Sequence, residues 1–132
     1  METLTQRLGA LAADQDVVGT LVLTIEQRER SRFRAMLDNG EVIGVMLERG
    51  GAALRTGDGL ADGTGRVYRV EAAPEPVSTV HSDDPLVLLR AAYHLGNRHT
   101  PLEVGKGYLR YRHDHVLDEM VHGLGAEPTH ET

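Results

Sequence analysis

Histidine is the residue type in this sequence that is best suited to chemistry. The chain has seven histidines and no cysteine among its 132 residues. Four of the seven, His94, His99, His113 and His115, lie within 22 residues of one another. The absence of cysteine excludes disulfides, thiolate metal sites and a cysteine nucleophile. Any metal must therefore be held by nitrogen and oxygen ligands.

His113 and His115 form an HxH pair between the segment YLRYR and a predicted helix. Side chains two positions apart in an extended strand face the same way, so this pair can chelate one divalent ion. Imidazole ligands suit Ni(II), Cu(II), Co(II) and Zn(II), and ligand type alone does not choose among them. A solvated strand edge followed by a helix N-terminal residue explains the pair equally well.

The other histidines are less informative one by one. His99 follows a predicted helix end, where a surface or capping role is more common than metal binding. One imidazole per chain is too few to hold an ion, but a two-fold dimer interface would bring two copies of His99 together. His94 and His122 lie late in predicted helices, where imidazoles commonly interact with terminal carbonyls. His81 and His130 are isolated.

Charge and hydropathy narrow the class of protein. The net charge of -6 disfavours nucleic acid as a partner. The N-terminal sequence lacks the basic and apolar regions of a signal peptide, and no apolar run approaches membrane-spanning length. We therefore expect a cytoplasmic protein with no membrane partner, and the lack of cysteine suits a reducing compartment.

Pro74 and Pro76 divide the sequence into two predicted domains. Residues 1–73 show period-two apolar patterns in GTLVLTIEQ, SRFRAML, EVIGVML and RVYRVEA, which predict a β-rich domain. The DNG sequence at 38–40 predicts a hairpin. The glycine-rich segment 55–66 lacks phosphate-binding spacing and predicts turns between strands. Residues 74–78 are the expected linker, and residues 79–132 the second domain.

The second domain has a β-α-β-β-α pattern, and a last strand in AEPTHET would complete a ferredoxin-like βαββαβ arrangement. Asp84 and Pro85 are suited to begin the first helix, which Gly96 and Asn97 end. Asp114 is suited to cap the second helix. The fold class predicted for the whole chain is α+β.

Several longer segments resemble the UreE family of urease accessory nickel metallochaperones. The resemblance rests on LTIEQRERSRFRAMLDNG, GVMLERGGAALRTGDGL, YRVEAAPEPVSTVHSDDPLVLLRAAYHLGNRHTPLEV and YLRYRHDHVLDEMVHGLG, which together span nearly the whole chain. It implies a β-sandwich-like peptide-binding domain followed by a ferredoxin-like domain that binds metal and dimerises. It also implies an opening strand in TLTQRLGALA, although Leu4, Leu8 and Leu11 have helical spacing there.

The resemblance further implies the cargo, the site residues and the partners. His99 of the GNRH sequence would bind nickel jointly with its copy in a homodimer, and His113 and His115 would form a peripheral metal site within each chain. The implied partners are the urease accessory GTPase and the urease apoprotein complex. Many members of the family carry a histidine-rich tail, whereas this sequence ends in GAEPTHET with His130 as its last histidine.

The leading hypothesis is a non-catalytic nickel carrier, and two alternatives from other classes stay open. A metal-dependent hydrolase could use His113, Asp114 and His115, although the sequence has no HExxH motif. A metal-independent assembly or peptide-binding module could present a basic strand face to an acidic partner. That face would consist of Arg28, Arg30, Arg32 and Arg34, and a solvated strand face is its simpler explanation.

Overall fold

A computed structural model describes residues 2–132 of the chain. It divides the chain into two compact units, Met1–Ala73 and Pro74–Thr132, here called the N-terminal and C-terminal units. In the described residues, no helix is both long enough and apolar enough to cross a membrane. The segment that we predicted as a linker, 74–78, includes the first two residues of a strand that begins at Val77.

The N-terminal unit contains two open sheets that share one apolar core. Its strands are β1 (Thr3–Leu4), β2 (Gln6–Ala10), β3 (Gly19–Leu23), β4 (Arg32–Met36), β5 (Val42–Met46), β6 (Asp58–Ala61) and β7 (Val67–Ala72). They form a three-stranded sheet of order β1-β5-β4 and a four-stranded sheet of order β2-β6-β7-β3. Buried residues of both sheets, including Leu4, Leu21, Val45 and Tyr68, pack into one cluster. The predicted β-sandwich-like fold is confirmed.

The predicted hairpin is also confirmed. β4 and β5 pair antiparallel with Ala35 opposite Ile43, and Gly40 has a φ of 89° in the turn between them. An L side chain is strained at such a φ, so glycine suits this position. β1 and β2 show that the opening segment is extended, as the family resemblance implied, and not helical.

Two local predictions in this unit are wrong. The strand predicted through GTLVLTIEQ ends at Leu23, and a short helix α1 (Ile25–Glu29) follows. Thr24 and Gln27 form a capping box at its start, in which each side chain accepts a hydrogen bond from the backbone N–H of the other residue. These bonds favour a helix start over continuation of the strand. In addition, the glycine-rich segment 55–66 contains strand β6 as well as turns.

The basic strand face considered for the third alternative does not form. Arg28 lies in α1 and is 5% exposed, and Arg30 is the residue that ends that helix. Only Arg32 and Arg34 share the strand β4. The turn of the chain through α1 therefore separates the four arginines that the alternating sequence pattern would have aligned.

The C-terminal unit has the predicted ferredoxin-like order. Its elements are β8 (Val77–His81), α2 (Pro85–Asn97), β9 (Leu102–Gly105), β10 (Tyr108–Arg112), α3 (His115–Gly123) and β11 (Pro128–Glu131). The antiparallel sheet has the order β11-β8-β10-β9. Both helices pack on it through a core that includes Val80, Ala91, Leu95, Leu109 and Val121.

Candidate metal centre

Three neighbouring strands and the first turns of α3 bring together two histidines and one aspartate. His130 of β11 lies opposite Ser78 of β8, and Ser78 lies opposite Tyr111 of β10. Residues in register on adjacent strands point to the same face of a sheet. His113 follows the end of β10, and Asp118 lies in α3. The strand register thus determines which side chains meet here.

The ligand atoms of these three side chains lie within 4.8 Å of one another. Asp118 Oδ2 is 3.1 Å from His113 Nδ1 and 2.9 Å from His130 Nε2. The two imidazole rings are 4.2 Å apart between centroids, at an angle of 63°. We call His113, Asp118 and His130 the β11 cluster. Its two histidines line an open cleft of about 430 Å³.

The Asp118 carboxylate accepts a hydrogen bond from a buried side chain. The hydroxyl of Tyr111, which is fully buried, donates a hydrogen bond of 2.6 Å to Asp118 Oδ1. Burial by itself raises the pKa of the Asp118 carboxyl, but hydrogen bonds from Tyr111, Ser78 and His130 and the charge of His113 outweigh it and lower that pKa. The carboxylate is therefore ionised at neutral pH, with Oδ2 directed to the two imidazoles.

His115 is placed differently from the other half of the HxH pair. β10 ends at Arg112, Asp114 is the N-cap of α3, and His115 is the exposed first residue of that helix. Asp114, between the two histidines, has an extended backbone with a ψ of 118°, and the shared metal site of His113 and His115 stays a prediction. In the described residues, the β11 cluster does not include His115.

Asp114 is committed to the backbone of α3. Its carboxylate accepts hydrogen bonds from the N–H groups of Val116 and Leu117 at 2.9 and 3.2 Å. These bonds satisfy two donors that the helix start leaves unpaired. Asp114 thus has a local structural role at the position where the hydrolase alternative required a catalytic group.

His99 lies in an unusual backbone conformation at the end of α2. Its φ is 56°, and it is the one non-glycine residue among residues 2–132 with a positive φ. The His99 N–H donates to the Gly96 carbonyl at 3.0 Å, and the Thr100 N–H to the Leu95 carbonyl at 3.4 Å. This is a Schellman motif, in which glycine usually occupies the position of His99. The exposed imidazole is thus held beyond the helix end at some cost in backbone energy.

The remaining histidines lie apart from one another. His94 is exposed in the last turn of α2, and its ring lies edge-on to that of Tyr93. His122 forms an ion pair with Glu127 beyond the end of α3, and His81 ends β8 near the ring of Tyr108. The helix-end positions predicted for His94 and His122 are confirmed.

Sequence reasoning missed two members of the β11 cluster. No motif in the sequence singles out Asp118, and His130 is isolated in it. The signal available for His130 was the predicted ferredoxin-like order, which places the last strand beside the first. The residue opposite His130 could not be derived from it, because a shift of one residue in register would turn the imidazole to the other face.

Comparison with known proteins relates both units to one family. A family model described as the C-terminal domain of UreE urease accessory protein matches residues 75–132, and one described as the N-terminal domain matches residues 4–73. A protein named urease accessory protein UreE from Alkalilimnicola ehrlichii is 57% identical over 131 residues, which cover 99% of this chain and 78% of the relative. Proteins of the same name from Pseudomonas putida and Proteus mirabilis are each 53% identical, over 95% and 81% of this chain and 76% and 66% of their own lengths.

Proposed function

The chain belongs to the UreE family of urease accessory proteins, which assigns it a role in urease maturation, and we propose that it carries nickel for that process. In this proposal, two copies of the chain hold Ni(II) between their His99 side chains and release it for assembly of the urease nickel centre. Nickel is the cargo in this proposal, so the protein binds and releases the ion without catalysing a covalent reaction.

The observation that carries the proposal is the conformation of His99. A histidine in the left-handed region costs about 1 to 2 kcal/mol relative to an ordinary conformation. Strained backbone conformations persist where the surrounding structure enforces them, and they cluster at functional sites. The left-handed conformation leaves the His99 imidazole beyond the end of α2. The side chain is exposed there and can contact His99 of a second chain.

An apolar stripe on α2 supports the proposed homodimer. Leu86, Leu89 and Tyr93 are spaced three and four residues apart, so they lie on one face of the helix. Their exposed fractions are 56%, 67% and 67%. A two-fold interface is made of the same surface in both subunits. Contact through this stripe would bury apolar area from both chains and bring together the helix ends that carry His99.

Proton uptake and competing ligands would control release. Imidazole binds metal in its neutral form, so affinity for nickel should fall as pH drops through the histidine range. Two imidazoles leave coordination positions open to water or to side chains of a partner. We propose the accessory GTPase and the urease apoprotein complex as those partners, with hand-over in the cytoplasm.

The experiment is calorimetric titration of Ni(II) into the dimeric protein, beside His99→Ala and a control, His122→Ala. The native protein and the control should show one tight site per two chains, and His99→Ala should lack it. Nickel-loaded native protein should then activate urease apoprotein in the presence of the GTPase and GTP, and loaded His99→Ala should not. A tight site that survives in His99→Ala would refute the proposal.

A further inference from the structure

We propose that the outer face of the β4–β5 hairpin is a docking surface for an acidic segment of another protein that carries a large apolar side chain. The surface is centred on an open hollow of about 340 Å³ in the N-terminal unit, here called the Gly44 hollow. The residues that surround Gly44 there include Thr3, Arg32, Arg34 and Met46. The inference goes beyond the proposed function, because no metal ion takes part in this contact.

Strand pairing gives the hollow its shape. Arg34 of β4 lies opposite Gly44 of β5, and Thr3 of β1 lies opposite Gly44 on the other side. Arg32 lies opposite Met46 in the next pair of the same face. Residues in register on adjacent strands point to the same face of a sheet. Because Gly44 has no side chain, the longer side chains around it leave a space above its backbone.

Gly44 is not explained by the needs of the fold. Its φ is not in the positive region, so the backbone here does not require glycine. A Cβ added at this position would meet Thr3 Oγ1 at 3.5 Å and the Glu2 carbonyl oxygen at 3.7 Å, which are ordinary contacts. Glycine weakens a strand interior and often marks a place that a ligand or another backbone approaches closely. The glycine therefore fits a surface onto which a second molecule packs.

The same face is apolar on both sides of Gly44. Met46, Val42 and Met36 are 48%, 50% and 60% exposed. Val42 follows Gly44 on the outer face of β5, and Met36 lies opposite Val42 on β4. Exposed apolar patches mark interaction sites, and methionine adapts its shape to an apolar partner. The hollow therefore offers an apolar side chain a place to enter and neighbouring surface to cover.

Charge indicates which partner fits. The chain has a net charge of -6, yet the described residues that line the hollow include two arginines and no acidic residue. Within residues 2–132, neither Arg32 nor Arg34 has an ion-pair partner. Arginine binds carboxylates through two parallel N–H donors. A two-fold contact between copies would instead place the arginines of both chains against one another. An acidic segment of a different protein is thus the favoured occupant.

The test uses the full-length protein and synthetic peptides with a central leucine, methionine or phenylalanine that is flanked on both sides by glutamates. Backbone amide signals of the native protein locate the contact, and fluorescence anisotropy of labelled peptide measures affinity. We expect signal changes in residues 3–4, 32–36 and 42–46. A peptide with central serine should bind more weakly, and added salt should weaken binding because exposed charges are screened.

Gly44→Val fills the hollow and should weaken binding at least about tenfold, as loss of a central contact does. Arg34→Gln should weaken it about threefold, which is typical of an exposed ion pair. Arg49→Gln is the matched control, because it removes one positive charge from an exposed residue outside the lining. Met46→Ser, at a half-exposed residue, tests the apolar contact in a protein that keeps Gly44.

Absence of binding by all three apolar peptides would overturn the proposal, and so would unchanged affinity in both Gly44→Val and Met46→Ser. Equal weakening by Arg34→Gln and Arg49→Gln would show attraction by overall charge and would also overturn it. If Gly44→Val or Met46→Ser changes the sedimentation coefficient of the protein without peptide, the face is a contact between copies and the proposal is wrong. His99→Ala should bind the peptides as the native protein does, so these outcomes are independent of nickel binding.

Discussion

The Tyr111 hydroxyl and Asp118 Oδ1 are joined by a hydrogen bond of 2.6 Å, which links the core of the C-terminal unit to the β11 cluster at its surface. Burial raises the pKa of the Tyr111 hydroxyl well above its ordinary value, and the hydrogen bond and charge of Asp118 add to the effect. Tyr111 thus stays a neutral donor at every physiological pH. One fully buried ring therefore fixes the orientation of the carboxylate at the centre of the β11 cluster.

Tyr111→Phe should lower the free energy of unfolding of the C-terminal unit by about 1 to 3 kcal/mol, because it removes a buried donor to a carboxylate. Urea denaturation at pH 7 in the presence of a chelator measures the effect. The matched control is Tyr93→Phe, at a residue that is 67% exposed, and this change keeps the ring that the α2 stripe would use. Equal stability of the two variants would mean that the hydroxyl of Tyr111 contributes nothing.

Asp62 should make the N-terminal unit sensitive to acid. A hydrogen bond with the Glu2 side chain and bonds from Thr64 and the Arg66 backbone outweigh burial and lower the pKa of Asp62 well below its ordinary value. The folded state thus favours the carboxylate. The resulting stability is complete above the unfolded pKa of about 3.9 and is lost as pH falls further toward the folded pKa.

Urea denaturation between pH 7 and pH 2, followed through amide signals of β6 and β7, measures this dependence. The native protein should lose stability below about pH 4. Asp62→Asn should start lower and show a shallower decline, because the group that takes up the proton is gone. Asp14→Asn, at an exposed position, is the matched control and should follow the native curve. Parallel curves for native protein and Asp62→Asn would contradict the assignment.

The C-terminal unit was predictable because its boundaries are set by local chemistry. Asp84 accepts the Leu86 N–H at 3.0 Å and precedes Pro85, and Asp114 caps α3 in the same manner. These residues satisfy helix N–H groups within their own turn, so neighbouring residues determine the outcome. The order of elements followed from the resulting boundaries.

Helix α1 and the β11 cluster were not predicted from the sequence, for two different reasons. The T-x-x-Q spacing of Thr24 and Gln27 was available as a capping signal, but the alternation of apolar residues before it favoured a longer strand. In the cluster, the partners of His130 are 12 to 52 positions away in the chain. Strand register and packing of α3 decide that contact, and no local pattern encodes it.

His99→Gly should stabilise the metal-free protein relative to His99→Ala by about 1 kcal/mol, since only glycine adopts the φ of 56° without strain. Urea denaturation of both variants at one protein concentration, with a chelator, gives the comparison. Both variants should lack the tight Ni(II) site. The two variants would then differ in stability but not in their loss of Ni(II) binding. Equal stability of the two variants would show that the conformation carries no strain.

Leu89→Asp should convert the proposed dimer to a monomer by placing a charge in the exposed stripe on α2. The proposed tight site needs two His99 side chains, which would no longer meet in a monomer, so it should disappear. Sedimentation velocity and Ni(II) titration on the same samples test both effects. Met36→Asp, at a residue that is 60% exposed in the N-terminal unit, is the control. If the Leu89→Asp protein is monomeric and keeps the tight site, one chain is enough to bind nickel tightly. That result would contradict a site shared by two His99 side chains.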